Sequence, residues 1–297
     1  MVISILENNI FNGLFCKLLY FNYICMREEG LLIYFIYMVY KLNLFTMKRI
    51  MFLLISFPLI IIKSEAKDLF ALKDSNNLQT ALTLQKAGYL TNSLDHWEKS
   101  IEIIEKEAEN NPDDPELTLH LAQGYLGLLN TCIAHQDEKT FNKYDEKALD
   151  IFQSLEKYTQ HKSEALAWQG ALYGWKIAFS PMKGMFLGPK SQNLLEKALQ
   201  TNSESAEALV RQGSSLLFTP EMFGGDPQEA VEYYKKGIAI YEKNKSKSWL
   251  YLDALAWLGQ AYQKTGQLEK AKNTYEKALQ VESKFYWVKN SLLPNLK

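Results

Sequence analysis

Residues 252–285 read LDALAWLGQAYQKTGQLEKAKNTYEKALQVESKF. In the first half, apolar and small residues recur at i, i+3, i+4 and i+7, which is one face of a helix. They are Leu255, Leu258, Gly259 and Tyr262. A turn at 265–267 follows, and the second half carries another helical stripe. It consists of Ala271, Tyr275, Ala278 and Leu279. Because the small residues let two helices approach closely, the stretch predicts a tightly packed helical hairpin.

The box Glu276-Lys-Ala-Leu in this stretch has relatives along most of the chain. Copies of it begin at Glu98, Glu146, Glu196, Lys235 and Glu276, at spacings of 48, 50, 39 and 41 residues. A second box that ends in glycine precedes the last four copies. Its glycines are Gly124, Gly170, Gly213 and Gly259. Repetition at this period is typical of a solenoid, in which similar units stack along one axis.

The last unit resembles a tetratricopeptide repeat. The residues that carry the resemblance are Leu258, Gly259, Tyr262, Ala271, Tyr275 and Ala278, all at that family's spacing. The unit departs from the family at Leu255, where tryptophan is usual, and at Ser283, where proline is usual. Earlier units have 24 to 28 residues between the box glycine and the small residue of the second helix, against 19 in the last unit. We therefore expect enlarged loops within the earlier repeats.

The resemblance implies an all-α, right-handed α-solenoid of about five helix hairpins over residues 75–285. Residues 284–297 would then form a C-terminal capping helix over the last apolar face. The breaker at 110–115 is expected to close a first, degenerate pair. A protein of this family is expected to be a non-catalytic scaffold that mediates protein–protein interaction.

Residues 47–66 carry the features of an export signal. Lys48 and Arg49 precede an apolar run of 13 residues at 50–62, and 64–66 fit a small-x-small cleavage pattern. The run is short for a membrane span, which needs about 20 residues. We expect a cleaved signal peptide and a periplasmic or extracellular protein. The alternative is an uncleaved N-terminal membrane anchor.

Residues 1–46 show no clear helical or strand period and end directly before Met47. We interpret them as a misannotated extension, with translation starting at Met47. A membrane hairpin built from 31–40 and 50–62 is the alternative, although both arms are short for a bilayer. The expected domains are therefore the extension 1–46, the signal peptide 47–66 and the TPR-like domain 67–297.

Composition narrows the function class. The 297 residues have a formal net charge of -1, with 47% hydrophobic and 23% charged residues, which indicates a globular protein. Residues 67–297 carry 27 basic and 30 acidic groups, and Arg211 is their only arginine. Nucleic-acid binders usually show a basic footprint rich in arginine. We therefore expect no nucleic-acid partner.

No recognised catalytic motif stands out, and we expect no enzyme activity, cofactor or metal. Cys132 is the only cysteine after residue 66, so no disulfide framework is expected. Cys132 and His135 could share a helix face as two metal ligands, but a third and a fourth are missing. The acids Asp113, Asp114 and Glu116 are interpreted as helix-start residues beside two prolines.

Two similar segments, 180–189 and 219–227, are the expected functional surface. Both open with Ser/Thr-Pro, present Met-Phe and leave through glycine and proline, and both join a first helix to a second. Methionine and phenylalanine are enriched at binding surfaces. The candidate partner-binding residues are Trp175, Met182, Met185, Phe186, Phe218, Met222, Phe223 and Asp226. The alternative is that these segments fold back and plug an apolar groove beside Trp175 and Phe218.

The sequence leaves the partner and the oligomeric state open. The expected function is an exported scaffold for protein partners of the cell envelope, with membrane contact only through an uncleaved signal. One alternative is a periplasmic accessory, or ligand-binding subunit, of a solute transport system, which an apolar groove would favour. The other is an enzyme whose site is assembled from the loops.

Overall fold

Ten helices follow one another along residues 77–296, the part of the chain that the computed structural model describes. No strand occurs within this range. The extension expected at 1–46 and the signal peptide expected at 47–66 lie outside the described residues.

Consecutive helices pack in five antiparallel pairs, which confirms the predicted all-α solenoid. The first pair is α1 (77–91) and α2 (Leu94–Asn110), and the second is α3 (Pro115–His135) and α4 (Glu138–Leu155). The third pair is α5 (Lys162–Phe179) and α6 (Gly184–Thr201). The fourth is α7 (Ala206–Phe218) and α8 (Pro227–Lys243), and the fifth is α9 (Trp249–Lys264) and α10 (Leu268–Val281).

Side-chain caps fix where several of these helices begin. The Asp114 carboxylate accepts hydrogen bonds from the backbone N–H groups of Glu116 and Leu117, and Pro115 is the first residue of α3. Capping oxygens satisfy helix N–H groups that have no partner within the helix. The interpretation of Asp114 as a helix-start acid is confirmed. Asp137, Ser205, Asp226 and Ser248 cap α4, α7, α8 and α9 in the same way.

Three of the four box glycines lie where the two helices of a pair touch, as the sequence predicted, whereas Gly124 faces Ile101 of the preceding pair. A Cβ atom added to Gly259 would overlap the fully buried ring of Tyr275 on α10. A Cβ added to Gly170 would lie 2.9 Å from Cγ of Leu195 on α6. Gly170, Gly213 and Gly259 therefore make room for a large side chain of the partner helix.

The extra length of the earlier repeats is not where the sequence placed it. In the second pair the connection between α3 and α4 is only 136–137, and α3 itself is 21 residues long. In the third pair the connection is 180–183, and both helices have 18 residues. Only in the fourth pair does a long connection, 219–226, follow a short first helix of 13 residues. The prediction of enlarged loops is thus wrong for the second pair, and in the third pair the connection has only four residues. In both pairs the extra residues lengthen the helices instead.

The C-terminal segment covers the end of the array. Phe285 and Val288 are fully buried in the same core as the helices. Residues Val288–Leu292 form a short π-helical turn rather than a full α-helix. The segment acts as the predicted cap.

The first pair also packs against the fifth, which the sequence did not predict. The Tyr89 hydroxyl on α1 donates a 3.1 Å hydrogen bond to Asp253 on α9, and the Tyr89 ring lies 5.3 Å from those of Trp249 and Phe285. Trp97 on α2 meets Trp249 edge to face at 5.1 Å. The described array is therefore closed on itself.

We expect Gly259→Ala and Gly174→Ala to change stability in opposite directions. The added methyl overlaps Tyr275 at position 259, where overpacking costs about 1–3 kcal/mol. At position 174, in the middle of α5, it meets nothing within 4 Å and raises helix propensity by about 0.5–1 kcal/mol. Urea unfolding of both variants measures this. Equal stability of the two variants would contradict the packing described for the fifth pair.

Candidate functional site

Exposed large hydrophobic side chains concentrate on the two predicted segments. Of the eight such residues in the described chain, five lie on these segments and a sixth, Phe218, directly precedes the second; the six are exposed by 60–91%. They are Met182, Met185, Phe186, Phe218, Met222 and Phe223. We call these six residues the Met-Phe edge.

Both parts of the Met-Phe edge lie on the same side of the array because α5 and α7 run parallel. Near the start of α7, the Ser205 hydroxyl donates to Glu164 of α5 at 3.3 Å. A little further along, the Trp168 indole N–H donates to Glu207 at 2.7 Å. The C-terminal ends of α5 and α7 therefore point to one edge, and each leads into one of the two segments.

The connection 219–226 is held by its own backbone. The N–H groups of Phe223 and Gly225 donate to the Pro220 carbonyl at 2.8 and 3.2 Å, and that of Asp226 donates to the Leu216 carbonyl at 3.0 Å. Gly224 has φ +92°, a conformation that favours glycine. A Cβ on Gly225 would overlap the Thr219 carbonyl. Met222 and Phe223 thus project into solvent from an ordered turn.

The other segment is mostly helical, which corrects the expected loop 180–189. A single 3-10 turn spans Pro181–Lys183, and α6 already begins at Gly184. Met185 and Phe186 therefore lie in the first turn of α6. Pro189 lies inside the helix and has no N–H to donate to the Met185 carbonyl.

The remaining candidate residues have structural contacts of their own. Trp175 is half-buried and packs against the main core. Asp226 caps α8 by accepting from the N–H groups of Gln228 and Glu229. Phe218 is exposed, but its ring meets Trp257 edge to face at 5.1 Å. The binding role of the eight candidate residues stays a prediction.

The alternative that the segments plug an apolar groove is wrong for this structure, since their apolar tips face solvent. The middle of the expected groove is filled by the core itself. Leu121 and Tyr125 of α3 and Val210 of α7 are all buried in the main core. The closed array brings the first helices together and leaves the edge as the apolar surface.

A buried charged cluster, which the sequence analysis missed, joins α7 and α9. Arg211 on α7 pairs with Glu207 of the same helix at 3.3 Å and with Asp253 of α9 at 2.8 Å. All three side chains are at least 95% buried. The sequence contains one indication of this ion pair. Arg211, the lone arginine of residues 67–297, follows Glu207 by four positions, which places the two on one helix face.

Two carboxylates share one guanidinium, and neutral donors satisfy the excess acceptors. Glu207 also accepts from the Trp168 indole and the Tyr241 hydroxyl, and Asp253 accepts from Tyr89 and from the Trp257 indole at 2.8 Å. Burial and the nearby carboxylates raise the pKa of Tyr89 and Tyr241 well above the ordinary value. Both hydroxyls therefore stay protonated and act as donors.

The described residues contain no group of three or more histidine, cysteine or acidic side chains that could hold a metal. Cys132 is fully buried and His135 is exposed, so the two do not form a pair of ligands. Burial raises the pKa of the Cys132 thiol to about 12. Among residues 77–296, no helix is long and apolar enough to cross a membrane.

One repeat of the chain matches a known protein family. The family model described as tetratricopeptide repeat matches residues 252–285, the fifth helix pair. The fifth helix pair of this chain therefore matches a tetratricopeptide repeat. The other four pairs follow the same hairpin plan around their own box residues.

Solved structures of similar fold include two from named bacteria. The HusA haemophore from Porphyromonas gingivalis has 18% identity and a TM-score of 0.50, and the match covers 61% of this chain and 90% of that one. A thermophilic TPR protein of Thermus thermophilus has 17% identity and a TM-score of 0.49, over 73% and 95% of the two chains. At these identities the likeness concerns the fold alone. No curated protein sequence matches the chain significantly.

We expect Arg211→Met to destabilise this protein strongly. The change leaves two buried carboxylates without their cation, which typically costs about 3–5 kcal/mol. Lys235→Met is the matched control, because it removes an exposed ion pair with Glu232 within α8 and should change little. Thermal unfolding of both variants provides the measurement. An Arg211→Met melting temperature close to that of the control would show that the cluster is dispensable.

Proposed function

We propose that this TPR protein is an exported, non-catalytic scaffold that captures a protein partner through the Met-Phe edge. The observation that carries the proposal is the concentration of exposed methionine and phenylalanine on two neighbouring ordered segments. TPR proteins generally bind protein partners, and they are typically non-catalytic scaffolds.

The chemistry of the edge suits protein recognition. Isolated exposed apolar side chains are normal, whereas a cluster on one edge usually marks an interaction site. Methionine adapts its shape to different partners, and phenylalanine supplies a large contact area. Since the backbone of 219–226 is already held by internal hydrogen bonds, binding loses little conformational entropy there.

The proposal of export is supported by the signal-peptide pattern of residues 47–66, whose apolar run is short for a membrane span. N-terminal sequencing of the native protein is the test. A mature chain that begins near residue 67 supports export and cleavage. A chain that retains 47–66 supports the anchored alternative, and any peptide from 1–46 contradicts a start at Met47.

We expect Met185→Ser combined with Phe223→Ser to abolish partner capture while the melting temperature stays nearly unchanged. Both side chains are more than 70% exposed, so their loss removes apolar contact area and leaves the core intact. Crosslinking in intact cells followed by mass spectrometry would measure capture. Tyr286→Ser removes an exposed aromatic residue outside the two segments and serves as the control. Capture of the same partners by the double variant would refute the edge as the site.

A second candidate is a ligand-binding subunit, the transport-accessory alternative. One of the structures of similar fold is, by its name, a haemophore. Haem is therefore a suitable small-molecule probe, and thioether and aromatic groups at the edge offer contacts to a flat apolar ligand. Saturable haem binding, followed by visible absorbance and lost in the Met185→Ser/Phe223→Ser variant, would favour this candidate over the scaffold.

A further inference from the structure

The two segments of the Met-Phe edge carry opposite charge. Residues 165–195 contain no acidic residue, and their charged residues are Lys176, Lys183 and Lys190. Residues 212–234 contain no basic residue, and their charged residues are Glu221, Asp226, Glu229 and Glu232. One segment is therefore basic and the other acidic, and the cation next to the acidic segment, Lys264 of α9, is hydrogen-bonded to the Leu217 carbonyl.

Several of these charges have no ionic partner within the described chain. No ion pair among residues 77–296 includes Lys183, Lys190, Glu221 or Glu229, and all four residues are exposed. Lys190 lies over the Tyr173 ring at 4.2 Å and keeps its positive charge available at the surface. No ion pair of the described chain joins the two segments to each other. Charges of both signs are thus free to meet a complementary surface.

We propose that the Met-Phe edge binds a second copy of this chain in a two-fold symmetric dimer. A two-fold axis in the interface plane, at right angles to the line that joins the segments, places each basic segment against the acidic segment of the partner. In such an interface every contact occurs twice, because residue i of one copy meets residue j of the other and the reverse. The inference rests on the proposed function, since it names the partner of the same edge.

The size of the edge fits this occupant. Six large side chains, exposed by 60–91%, present on the order of 800 Å². A standard protein interface buries about 800 Å² on each partner. The apolar tips would lie at the centre, and Lys183 and Glu221 would lie next to them, in the arrangement of an apolar core with a polar rim. Methionines and phenylalanines of the two copies would then cover one another.

Charge reversal tests the proposal more sharply than removal of the apolar tips does. Variant one carries Lys183→Glu and Lys190→Glu, so that both of its segments are acidic. Variant two carries Glu221→Lys and Glu229→Lys, so that both of its segments are basic. Each variant alone brings like charges together twice, and we expect its self-association to weaken by at least about tenfold. In a mixture of the two, each segment faces opposite charge again, and we expect a heterodimer.

Light scattering of the protein purified in its native, processed form, over a concentration series, measures the oligomeric state. Thermal melting shows whether the variants are folded. A dimeric wild type, two weakened variants and a restored mixture support the proposal. A wild type that is monomeric up to ~100 μM overturns it. Larger species that grow with concentration overturn the two-fold form, because they indicate head-to-tail contacts. A mixture that stays monomeric overturns the pairing of basic with acidic segments.

The same samples separate this proposal from the proposed function. A monomeric wild type whose Met-Phe edge still captures another protein in cells refutes the dimer and leaves the scaffold standing. A chain that neither dimerises nor captures a partner through the edge refutes both.

Discussion

The ion pairs of Arg211 are the interaction on which the rest of the structure depends. One guanidinium holds Glu207 on its own helix and Asp253 on the first helix of the next pair, all in a region without solvent. Each carboxylate also accepts hydrogen bonds from a tyrosine and a tryptophan. These donors belong to α1, α5, α8 and α9. The cluster thus fixes five helices relative to one another. Because hydrogen bonds and ion pairs are directional, it does so more specifically than apolar packing alone.

Closure of the array follows from this cluster and explains where a partner can bind. Tyr89 of the first pair donates a hydrogen bond to Asp253 of the fifth, and Lys86 of the first pair forms an ion pair with Glu282 at 2.7 Å. When the ends of a short solenoid meet, its concave side becomes core. The positions that line a groove in an open solenoid, such as Tyr125 and Val210, are then buried. Recognition is consequently left to the edge, where α5 and α7 end.

The helices and their pairing could be predicted from the sequence because they depend on local patterns. The stripe from Leu255 to Tyr262 and the box glycines identify hairpins through contacts between residues close in the chain. The Arg211 cluster and the Tyr89–Asp253 contact join residues 42 and 164 positions apart, and no period in the sequence encodes such a distance. The length of the segment at 180–189 was misjudged because glycine and proline usually break helices. Here α6 begins at Gly184 and continues through Pro189.

The Met-Phe edge keeps its shape because the core holds the ends of its helices. Lys264 of α9 donates a 2.7 Å hydrogen bond to the Leu217 carbonyl at the end of α7. A cation at this end satisfies a free carbonyl and interacts favourably with the helix dipole. The Asp226 N–H donates a hydrogen bond to the neighbouring Leu216 carbonyl. The fifth pair therefore sets where α7 stops, and with it the point from which Met222 and Phe223 project.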